Sequence, residues 1–353
     1  MDATELLACS IAPLDETAMA HARARVDRLT KPLGSLGRLE TLAVHLAGIL
    51  RDARPSCAQK IILTMAADHG VVAEGVSAYP QAVTAQMVAN FLRGGAGINV
   101  LARLAGARVV VVDMGVAAEI APHPALVRRK IGDGTKNMAV GPAMSRAQAA
   151  AAIDAGRELA RGEIERGASC IGTGDMGIGN TTSSAAIAAV MTNRPPEQVT
   201  GRGTGVDDPT YQRKLEAIHR ALAVNRPDPT DPMDVLAKVG GFEIAGIAGV
   251  ILGGAQARRP VVIDGFISGA AALIAVALAP QACSYLIASH RSQEPGHRHI
   301  LHRLGLEPLL DLQLRLGEGT GAALAMPLLE AACRILNEMA TFDEAGVSGA
   351  STR

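Results

Sequence analysis

The chain has 353 residues, of which 48% are apolar and only 2% aromatic, and it contains no tryptophan. Its 34 basic residues are balanced by 34 acidic ones, so there is neither a basic excess that would indicate nucleic-acid binding nor an acidic tail. A core of Ala, Val, Ile, Leu and Met is more typical of a layered α/β enzyme than of a β-sandwich.

The N-terminal segment MDATELLACS is acidic and lacks an apolar stretch, so we expect no signal peptide. The richest apolar run, residues 266–288, is interrupted by Pro280 and Gln281. It predicts a buried helix and strand rather than a membrane span. These features together predict a cytoplasmic protein.

Residues 1–58 carry a helical period. The segments DETAMAHARARVDRL and SLGRLETLAVHLAGIL both place apolar residues three and four positions apart. Between them, KPLGSLG interrupts the pattern with a proline and glycines. We expect helices on both sides of this break.

From residue 59 the pattern changes to short apolar runs that end in polar or glycine-containing turns. The runs are KIILTMAADHG, ARVVVVDMG, ASCIGTGD, PVVIDG and CSYLIASH. Alanine-rich helical stretches such as SRAQAAAAIDAGRELARGEIERG separate most of them. This alternation predicts an α/β fold with a mostly parallel sheet that is covered by helices on both faces.

The C-terminal part again predicts helices, in GLEPLLDLQLRL and in GTGAALAMPLLEAACRILNEMATF. Pro327 should kink or begin a helix in the second of these segments. We expect a large α/β catalytic domain over 59–310. The terminal segments, 1–58 and 311–353, are expected to pack together as a small helical domain that closes the active site.

Polar residues stand where the apolar runs end. They are Asp68, His69, Asp113, Asp175, Asp264, Ser289 and His290. Ligands bind parallel α/β sheets outside the carboxyl ends of the strands, so these residues predict a pocket at one rim of the sheet. Each aspartate taken alone is also typical of a helix or turn cap.

The segment IGTGDMGIGNTTS, 171–183, matches two phosphate-binding motifs. Gly172, Gly174 and Gly177 have the spacing of the dinucleotide fingerprint. That interpretation is disfavoured, because the acidic residue in the required range, Glu197, falls in a loop and the motif lies mid-chain. A P-loop is disfavoured because Asn180 stands where the lysine is needed.

What remains in this segment is an anion site at a helix N-terminus that glycines allow a ligand to approach. Asp175 lies within the predicted loop, where its carboxylate would repel a phosphate. We therefore expect a ligand with a phosphate at one end and a cation at the other. The alternative is a tight glycine turn in which Asp175 caps the helix.

Other polar segments add candidates. TGRGTG, 200–205, is a second glycine turn, and YQRKLEAIHRAL presents Lys214 on a helix. SHRSQEPGH, 289–297, predicts a substrate-facing loop. Its His290 and His297 lack the helical spacing and the third ligand of a metal site, so we expect no metal there.

The cysteines are scattered and form no C-x-x-C pair. This distribution predicts buried reduced thiols rather than zinc ligands or disulfides. They are Cys9, Cys57, Cys170, Cys283 and Cys333.

Two further positions have a functional and a structural interpretation. Tyr79, beside Pro80, is either a stacking surface for a flat ligand or a turn residue. Glu318, framed by Gly317 and Gly319, is either a general base in an apolar setting or an acid that favours the dipole of the following helix.

Several long blocks of the sequence carry a family resemblance. They include AADHGVVAEGVSAYPQAVTAQMVANFLRGGAGINVLAR, GTGDMGIGNTTSSAA, VVIDGFISGAAAL, SHRSQEPGH and LRLGEGTGAALA. From about Lys31 to Ser348 the chain resembles the nicotinate-nucleotide:dimethylbenzimidazole phosphoribosyltransferase family, which makes α-ribazole phosphate for the lower ligand of cobalamin. The resemblance implies a Rossmann-like three-layer domain, a small helical domain and a homodimer, with no metal and no organic cofactor.

The resemblance also implies roles for individual residues. Glu318 matches the catalytic glutamate that takes the benzimidazole proton, and Asp175 is the second catalytic candidate, although a glutamate is expected at its position. Lys214, Ser292 and the amides around Gly177 resemble the phosphate site. The walls of the benzimidazole pocket would be Tyr79, Gln86, Met176 and Leu316. The other substrate-binding candidates are Pro80, Asn180, Asp264, Gly265 and Gly317.

The implied reaction moves the phosphoribosyl group of nicotinate mononucleotide to 5,6-dimethylbenzimidazole with inversion at C1′. The products are α-ribazole 5′-phosphate and nicotinate. Nicotinate mononucleotide carries a phosphate and a pyridinium, which is the mixed charge that the glycine segment predicts. Two alternatives stay open: a phosphoribosyltransferase for another azole or purine-like base, and a non-catalytic nucleotide-binding module. Neither nucleic acid nor membrane is an expected partner.

Overall fold

A computed structural model describes residues 10–203 and 205–348, and within these ranges the sheet has six strands, all parallel. The strands are β1 (Lys60–Ala67), β2 (Ala107–Gly115), β3 (Leu126–Arg128), β4 (Cys170–Met176), β5 (Val261–Ile263) and β6 (Leu286–Ala288). Their order is β3-β2-β1-β4-β5-β6. This is the Rossmann order, whose direction reverses between β1 and β4, the position where such sheets bind ligands.

The helices of the described residues alternate with the strands. The helices before β2 are α1 (Glu16–Arg28), α2 (Arg38–Leu50), α3 (Val83–Arg93) and α4 (Gly97–Ala105). Those between β3 and β5 are α5 (Arg146–Glu165), α6 (Asn180–Thr192), α7 (Pro196–Val199), α8 (Asp208–Asn225), α9 (Pro232–Val239) and α10 (Phe242–Gln256). The remaining ones are α11 (Phe266–Leu278), α12 (Pro295–Leu304), α13 (Thr320–Glu338) and α14 (Phe342–Ala345).

Apolar residues on both faces of the sheet are buried against helices. Along β1, Leu63 and Met65 belong to a core shared with α5, α10 and α11, whereas Ile62 and Ala66 belong to a core shared with α2, α4 and α13. Alternate residues of a strand face opposite sides of a sheet, so these cores lie on opposite faces. The predicted three-layer α/β fold with a parallel sheet is confirmed.

The N- and C-terminal helices pack together on one face of the sheet. The Arg25 guanidinium in α1 donates to the carbonyl oxygens of Leu336 and Met339 at the end of α13. Leu29 forms an isolated antiparallel bridge with Thr341. These helices share their apolar core with the sheet, and the division into domains at 59–310 stays a prediction.

Three details differ from the sequence-based expectations. Strand β3 was not predicted, because its three residues are too short for a recognisable apolar run. The segment GLEPLLDLQLRL is not helical. Its backbone pairs with the residues that follow β6: the Leu310 amide donates to the Ser289 carbonyl, and the Arg291 amide donates to the Leu310 carbonyl. Of the two alternatives predicted for Pro327, the helix start is excluded, because the residue lies inside α13.

The run 266–288 forms α11 and β6, as expected for a buried helix and strand. In the described residues, no helix is long and apolar enough to cross a membrane. Within those ranges the cysteines are free thiols; Cys57, Cys170 and Cys333 are buried and Cys283 is partly buried. Cys9 lies outside the described residues.

Candidate active site

A cavity of about 400 Å³ lies at the carboxyl ends of β4, β5 and β6. The predicted site residues that line it are Tyr79, Asp175, Met176, Gly177, Asn180, Gly265, Ser292, Leu316 and Gly317. It is also lined by His290, one of the polar strand-end residues, and by Gly203 and Glu294 of the polar segments 200–205 and 289–297. The lining residues that the sequence did not single out are Ile178, Thr181, Phe266, Ile267 and Arg315. A pocket is therefore present at this rim of the sheet, and of the polar strand-end residues expected there Asp175 and His290 line it. The others do not: Asp68, His69, Asp113, Asp264 and Ser289.

The glycines Gly172 and Gly174 of the 171–183 segment allow close packing on a strand and do not form a phosphate-binding loop. Gly172 and Gly174 lie inside β4, which continues through Asp175 to Met176, so the expectation that Asp175 lies in a loop is wrong. A Cβ on Gly172 would approach Met326 of α13 to 2.9 Å, and one on Gly174 would lie 2.3 Å from the Glu318 carbonyl oxygen. These glycines allow the Glu318 loop and α13 to pack directly on the strand.

Glu318 lies in a sharply bent loop. Gly317, Glu318 and Gly319 all have left-handed backbone conformations, with φ values of +83°, +64° and +98°. Two hydrogen bonds hold the loop against the sheet: the Glu318 amide donates to the Asp175 carbonyl at 3.2 Å, and the Thr64 hydroxyl donates to the Glu318 carbonyl at 2.9 Å. The loop places Glu318 beside the end of β4.

The Glu318 carboxylate is buried, with 5% of the residue exposed. Its Oε2 accepts a 3.0 Å hydrogen bond from the amide of Ile98, in the first turn of α4. Burial raises the pKa of Glu318, and the Ile98 amide opposes that rise. A carboxylate with a raised pKa in an apolar setting has the character of a general base.

The structural alternative for Glu318, an acid serving the helix that follows it, does not fit the contacts. That helix is α13, and its first amides are bound by Asp264, whose oxygens accept from Gly319 at 3.2 Å, Gly321 at 2.7 Å and Ala322 at 3.1 Å. Burial raises the pKa of Asp264 to about 7 although these amides lower it. The predicted substrate-binding residue Asp264 is thus engaged with the N-terminus of α13, behind the Glu318 loop.

Asp175 is buried at the wall of the cavity. Its Oδ2 accepts a 3.0 Å hydrogen bond from the Asn180 side chain. Burial and the negative charges of Asp264, Glu243 and Glu318 raise its pKa well above the usual value, and Asn180 opposes them. Helix α6 has Gly179 as its N-cap, without a side-chain cap bond, so the interpretation of Asp175 as its cap is wrong.

A buried cation lies at the other side of the 177–181 turn. Lys214 of α8 donates to the Thr181 hydroxyl at 2.8 Å and to the Gly201 carbonyl at 3.1 Å. It lines a small recess that shares Gly177, Asn180, Thr181 and Gly203 with the main cavity. Burial lowers the pKa of Lys214 to about 8.

Residues of the 200–205 and 289–297 segments complete this side. The Gly203 amide donates to Glu294 Oε1 at 2.9 Å, and Arg315 donates to the Gly203 carbonyl at 2.8 Å. The Ser292 amide donates to His297 Nδ1 at 2.9 Å. Burial lowers the pKa of His297 to about 3, so a neutral ring positions Ser292 at the cavity.

Only some of the residues predicted to form the walls of the benzimidazole pocket lie together at the cavity. Tyr79, which is 51% exposed, and Leu316, which is 60% exposed, both line the cavity together with Met176. Pro80 and Gln86 are exposed and do not contribute to its lining.

Sequence reasoning missed two contributors with a clear physical role. Arg315 lies in the segment that was expected to be helical, so its approach to Gly203 could not be inferred. The Ile98 contact to Glu318 uses a backbone amide, which leaves no mark in a sequence. In the described residues, no group of three or more His, Cys, Asp or Glu side chains is arranged to hold a metal ion.

The family of this chain is shown by its similarity to known proteins. A family profile described as "Phosphoribosyltransferase" matches residues 11–347. The nicotinate-nucleotide–dimethylbenzimidazole phosphoribosyltransferase of a Roseiflexus species is 62% identical over 339 residues, covering 96% of each chain. The chain belongs to this phosphoribosyltransferase family. The enzyme of the same name from Desulforudis audaxviator is 61% identical over 340 residues, again covering 96% of each chain.

A solved structure of a phosphoribosyltransferase of this family supports the fold. The Thermus thermophilus protein, titled as a nicotinate-nucleotide–dimethylbenzimidazole phosphoribosyltransferase, superposes with a TM-score of 0.91 at 52% sequence identity. The match covers 96% of this chain and all of the other. The family resemblance drawn from the sequence blocks is thereby confirmed.

Proposed function

We propose that this phosphoribosyltransferase moves the phosphoribosyl group of nicotinate mononucleotide to 5,6-dimethylbenzimidazole, giving α-ribazole 5′-phosphate and nicotinate. The observation that carries this proposal is the division of charge around the cavity. Buried carboxyl groups, those of Asp175 and Glu318, lie at the end of β4, while the cations Lys214 and Arg315 lie on the side of Gly203, where one carboxylate, Glu294, accepts from the Gly203 amide. A ligand with a cationic ring and a phosphate matches this arrangement. The names of the relatives support the same substrates.

The phosphate of the donor binds at Lys214, Ser292 and the amides near Gly177. Hydrogen bonds to the charged phosphate are stronger than those between neutral groups. The pyridinium and C1′ then lie toward Asp175. A carboxylate at that position stabilises the positive charge that develops on the ribosyl carbon as the pyridinium leaves.

The acceptor binds between Met176, Leu316 and Tyr79, which present an apolar surface to a flat base. One benzimidazole nitrogen attacks C1′ from the face opposite to nicotinate and forms the new C–N bond. The bond from C1′ to the pyridinium nitrogen breaks, and its electron pair stays on nicotinate. The proton on the other benzimidazole nitrogen passes to Glu318, the general base, and attack from the opposite face inverts the configuration at C1′.

A direct test is to incubate the protein with nicotinate mononucleotide and 5,6-dimethylbenzimidazole. We expect α-ribazole 5′-phosphate, identified by mass, with its α configuration shown by NMR. A panel with other azoles and adenine separates the two alternatives. Turnover only with another base would point to a different acceptor, and binding of the nucleotide without turnover of any base would point to a non-catalytic module.

We expect turnover to survive a chelator such as EDTA. The pyridinium leaves as a neutral ring, so no metal ion is needed to neutralise a departing pyrophosphate. The measurement is the initial rate before and after chelation, with a Mg²⁺-dependent kinase as the control that chelation was complete. A rate that vanishes and returns with added Mg²⁺ or Zn²⁺ would contradict the proposed leaving group.

The pH profile of kcat/KM for nicotinate mononucleotide is expected to be bell-shaped. Activity should rise with pH as Glu318, whose pKa is raised, loses its proton. Activity should fall above pH 8, because Lys214 is charged below its pKa of about 8 and neutral above it, which weakens phosphate binding. Such profiles report the ionisations of the free enzyme.

A Lys214→Met variant checks the assignment of the alkaline limb. Loss of a charge-assisted hydrogen bond should raise KM for the nucleotide by about 10- to 100-fold and flatten the alkaline limb. Lys136→Met, at an exposed position, serves as the matched control. An alkaline limb that persists in Lys214→Met would show that another group titrates there.

The proposal includes the cytoplasmic homodimer and the closing role of the terminal segments that the sequence predicts. Support for the closing role comes from position: Glu318, Leu316 and Arg315 all belong to the segment after residue 310. Sedimentation analysis of the purified protein tests the dimer.

A further inference from the structure

The first turn of α4 lies directly against the base. The Ile98 amide donates to Glu318 Oε2 at 3.0 Å, and the preceding residue is Gly97. A Cβ added to Gly97 would lie 2.9 Å from Leu316 Cδ2, 3.4 Å from Glu318 Oε2 and 3.7 Å from Thr320 Cγ2. Contacts below 3.0 Å force a neighbour to move, so a Cβ here would displace the end of the Leu316 side chain, whereas Glu318 and Thr320 would stay at ordinary contact distances.

This turn of α4 is rigidly held. The Asn99 side chain accepts from the Ala96 amide at 3.0 Å and donates to the Phe91 carbonyl at 3.1 Å. Ile98 is fully buried, and it lies in the core that α4 shares with α13. The amide that meets Glu318 is therefore fixed in space by groups outside the cavity.

The contact has an electrostatic consequence. The free amides at a helix N-terminus favour a negative charge. Burial raises the pKa of Glu318, and the Ile98 amide opposes that rise because it favours the ionised form. Because the hydrogen bond uses Oε2, the other oxygen, Oε1, is the one left to accept a proton from the acceptor.

We propose that Gly97 is a positioning and specificity-determining residue: its missing side chain keeps Leu316 clear of the acceptor, next to the amide that holds Glu318. This inference rests on the proposed function, because it assigns the acceptor to the Leu316 side of the cavity. Gly97 touches no substrate; it acts through Leu316.

The test is a Gly97→Ala variant assayed with 5,6-dimethylbenzimidazole. Displacement of a reacting group by about 1 Å lowers rates by up to about 10²-fold, so we expect kcat to fall by about 10- to 100-fold. KM for nicotinate mononucleotide should stay within about twofold, because the phosphate contacts of Lys214 lie elsewhere. The melting temperature should be unchanged or higher, since alanine favours helices over glycine.

A matched control and a rescue separate this role from general packing. Gly141→Ala adds the same methyl group where no atom lies within 4 Å, and it should leave kcat unchanged. Leu316→Ala removes the atom that Gly97→Ala would strike. The effect of Gly97→Ala on kcat should therefore be much smaller in the Leu316→Ala background than in the native protein.

Binding measured without turnover makes the inference independent of the assay. In a fluorescence titration, Gly97→Ala should weaken the binding of 5,6-dimethylbenzimidazole by about 10-fold. The binding of imidazole, which lacks the second ring and the methyl groups, should weaken by less than about twofold, because overpacking penalises the larger ligand. Equal losses for both bases, or an unchanged kcat, would overturn the role of Gly97 while leaving the proposed function standing. A native protein that neither binds azoles nor forms product would overturn both.

Discussion

Replacing Glu318 by glutamine is expected to lower kcat by about 10²–10⁴, the usual loss on removing a positioned general base. Glutamine has nearly the same size, and its side-chain oxygen can still accept from the Ile98 amide. The fold and the binding of both substrates should therefore persist. KM values should change little, and the fall should appear in the rate at saturation.

A purely structural Glu318 would give a different result. If its carboxylate only favoured the N-terminus of α4, the substitution should change stability by about 0.3–1 kcal/mol and leave turnover almost intact. Thermal melting and saturated turnover measured on one sample distinguish the two. Glu307→Gln, at a side chain that is 79% exposed, is the matched control and should change neither.

Replacing Asp175 by asparagine is expected to lower kcat by about 10², comparable with the loss of one transition-state-stabilising group. The variant keeps the shape of the side chain and removes the charge that faces C1′. Affinity for nicotinate mononucleotide should change far less than the rate, because a carboxylate does not attract phosphate. Steady-state kinetics with the nucleotide varied at saturating acceptor provide both numbers.

Two controls narrow the interpretation of Asp175. Asn180→Ser removes the hydrogen bond to Oδ2 and leaves the charge, so it should cost less rate than Asp175→Asn. Asp15→Asn alters a helix cap far from the cavity and should leave kcat unchanged. An Asp175→Asn variant with normal saturated rate and weakened nucleotide affinity would show that the charge argument is wrong.

Much of the fold could be predicted because its strands are continuous apolar runs. KIILTMAA and ARVVVVDMG became β1 and β2, and the alanine-rich stretch after Ser145 became α5. The prediction was wrong where short-range pattern and long-range pairing disagree. GLEPLLDLQLRL has leucines at helical spacing, yet Pro308 interrupts it and its backbone pairs with the chain after β6.

The site was predictable only where side chains carry the chemistry. Asp175 stands beside a glycine, Ser292 follows a strand and Lys214 lies on a predicted helix, and such positions are visible in a sequence. Contacts made by backbone groups are not visible, and these include the amides that bind Asp264 and the Ile98 amide. The need for glycine at 172 and 174 is not visible either, because it comes from the close approach of α13 and the loop before it. These elements follow about 150 residues later in the chain.

The left-handed backbone at residues 317–319 bears on the proposed role of Glu318 as the base. Glu318 lies between two glycines and has a left-handed backbone conformation that costs an L-residue roughly 1–2 kcal/mol. Glycine would suit that backbone better, so the local preference and the residue present are in conflict. Natural sequences are minimally frustrated, and such conflicts concentrate where function outweighs stability. In this chain, the non-glycine residue within the left-handed run therefore supports the proposed role of Glu318 without reference to a ligand or a motif.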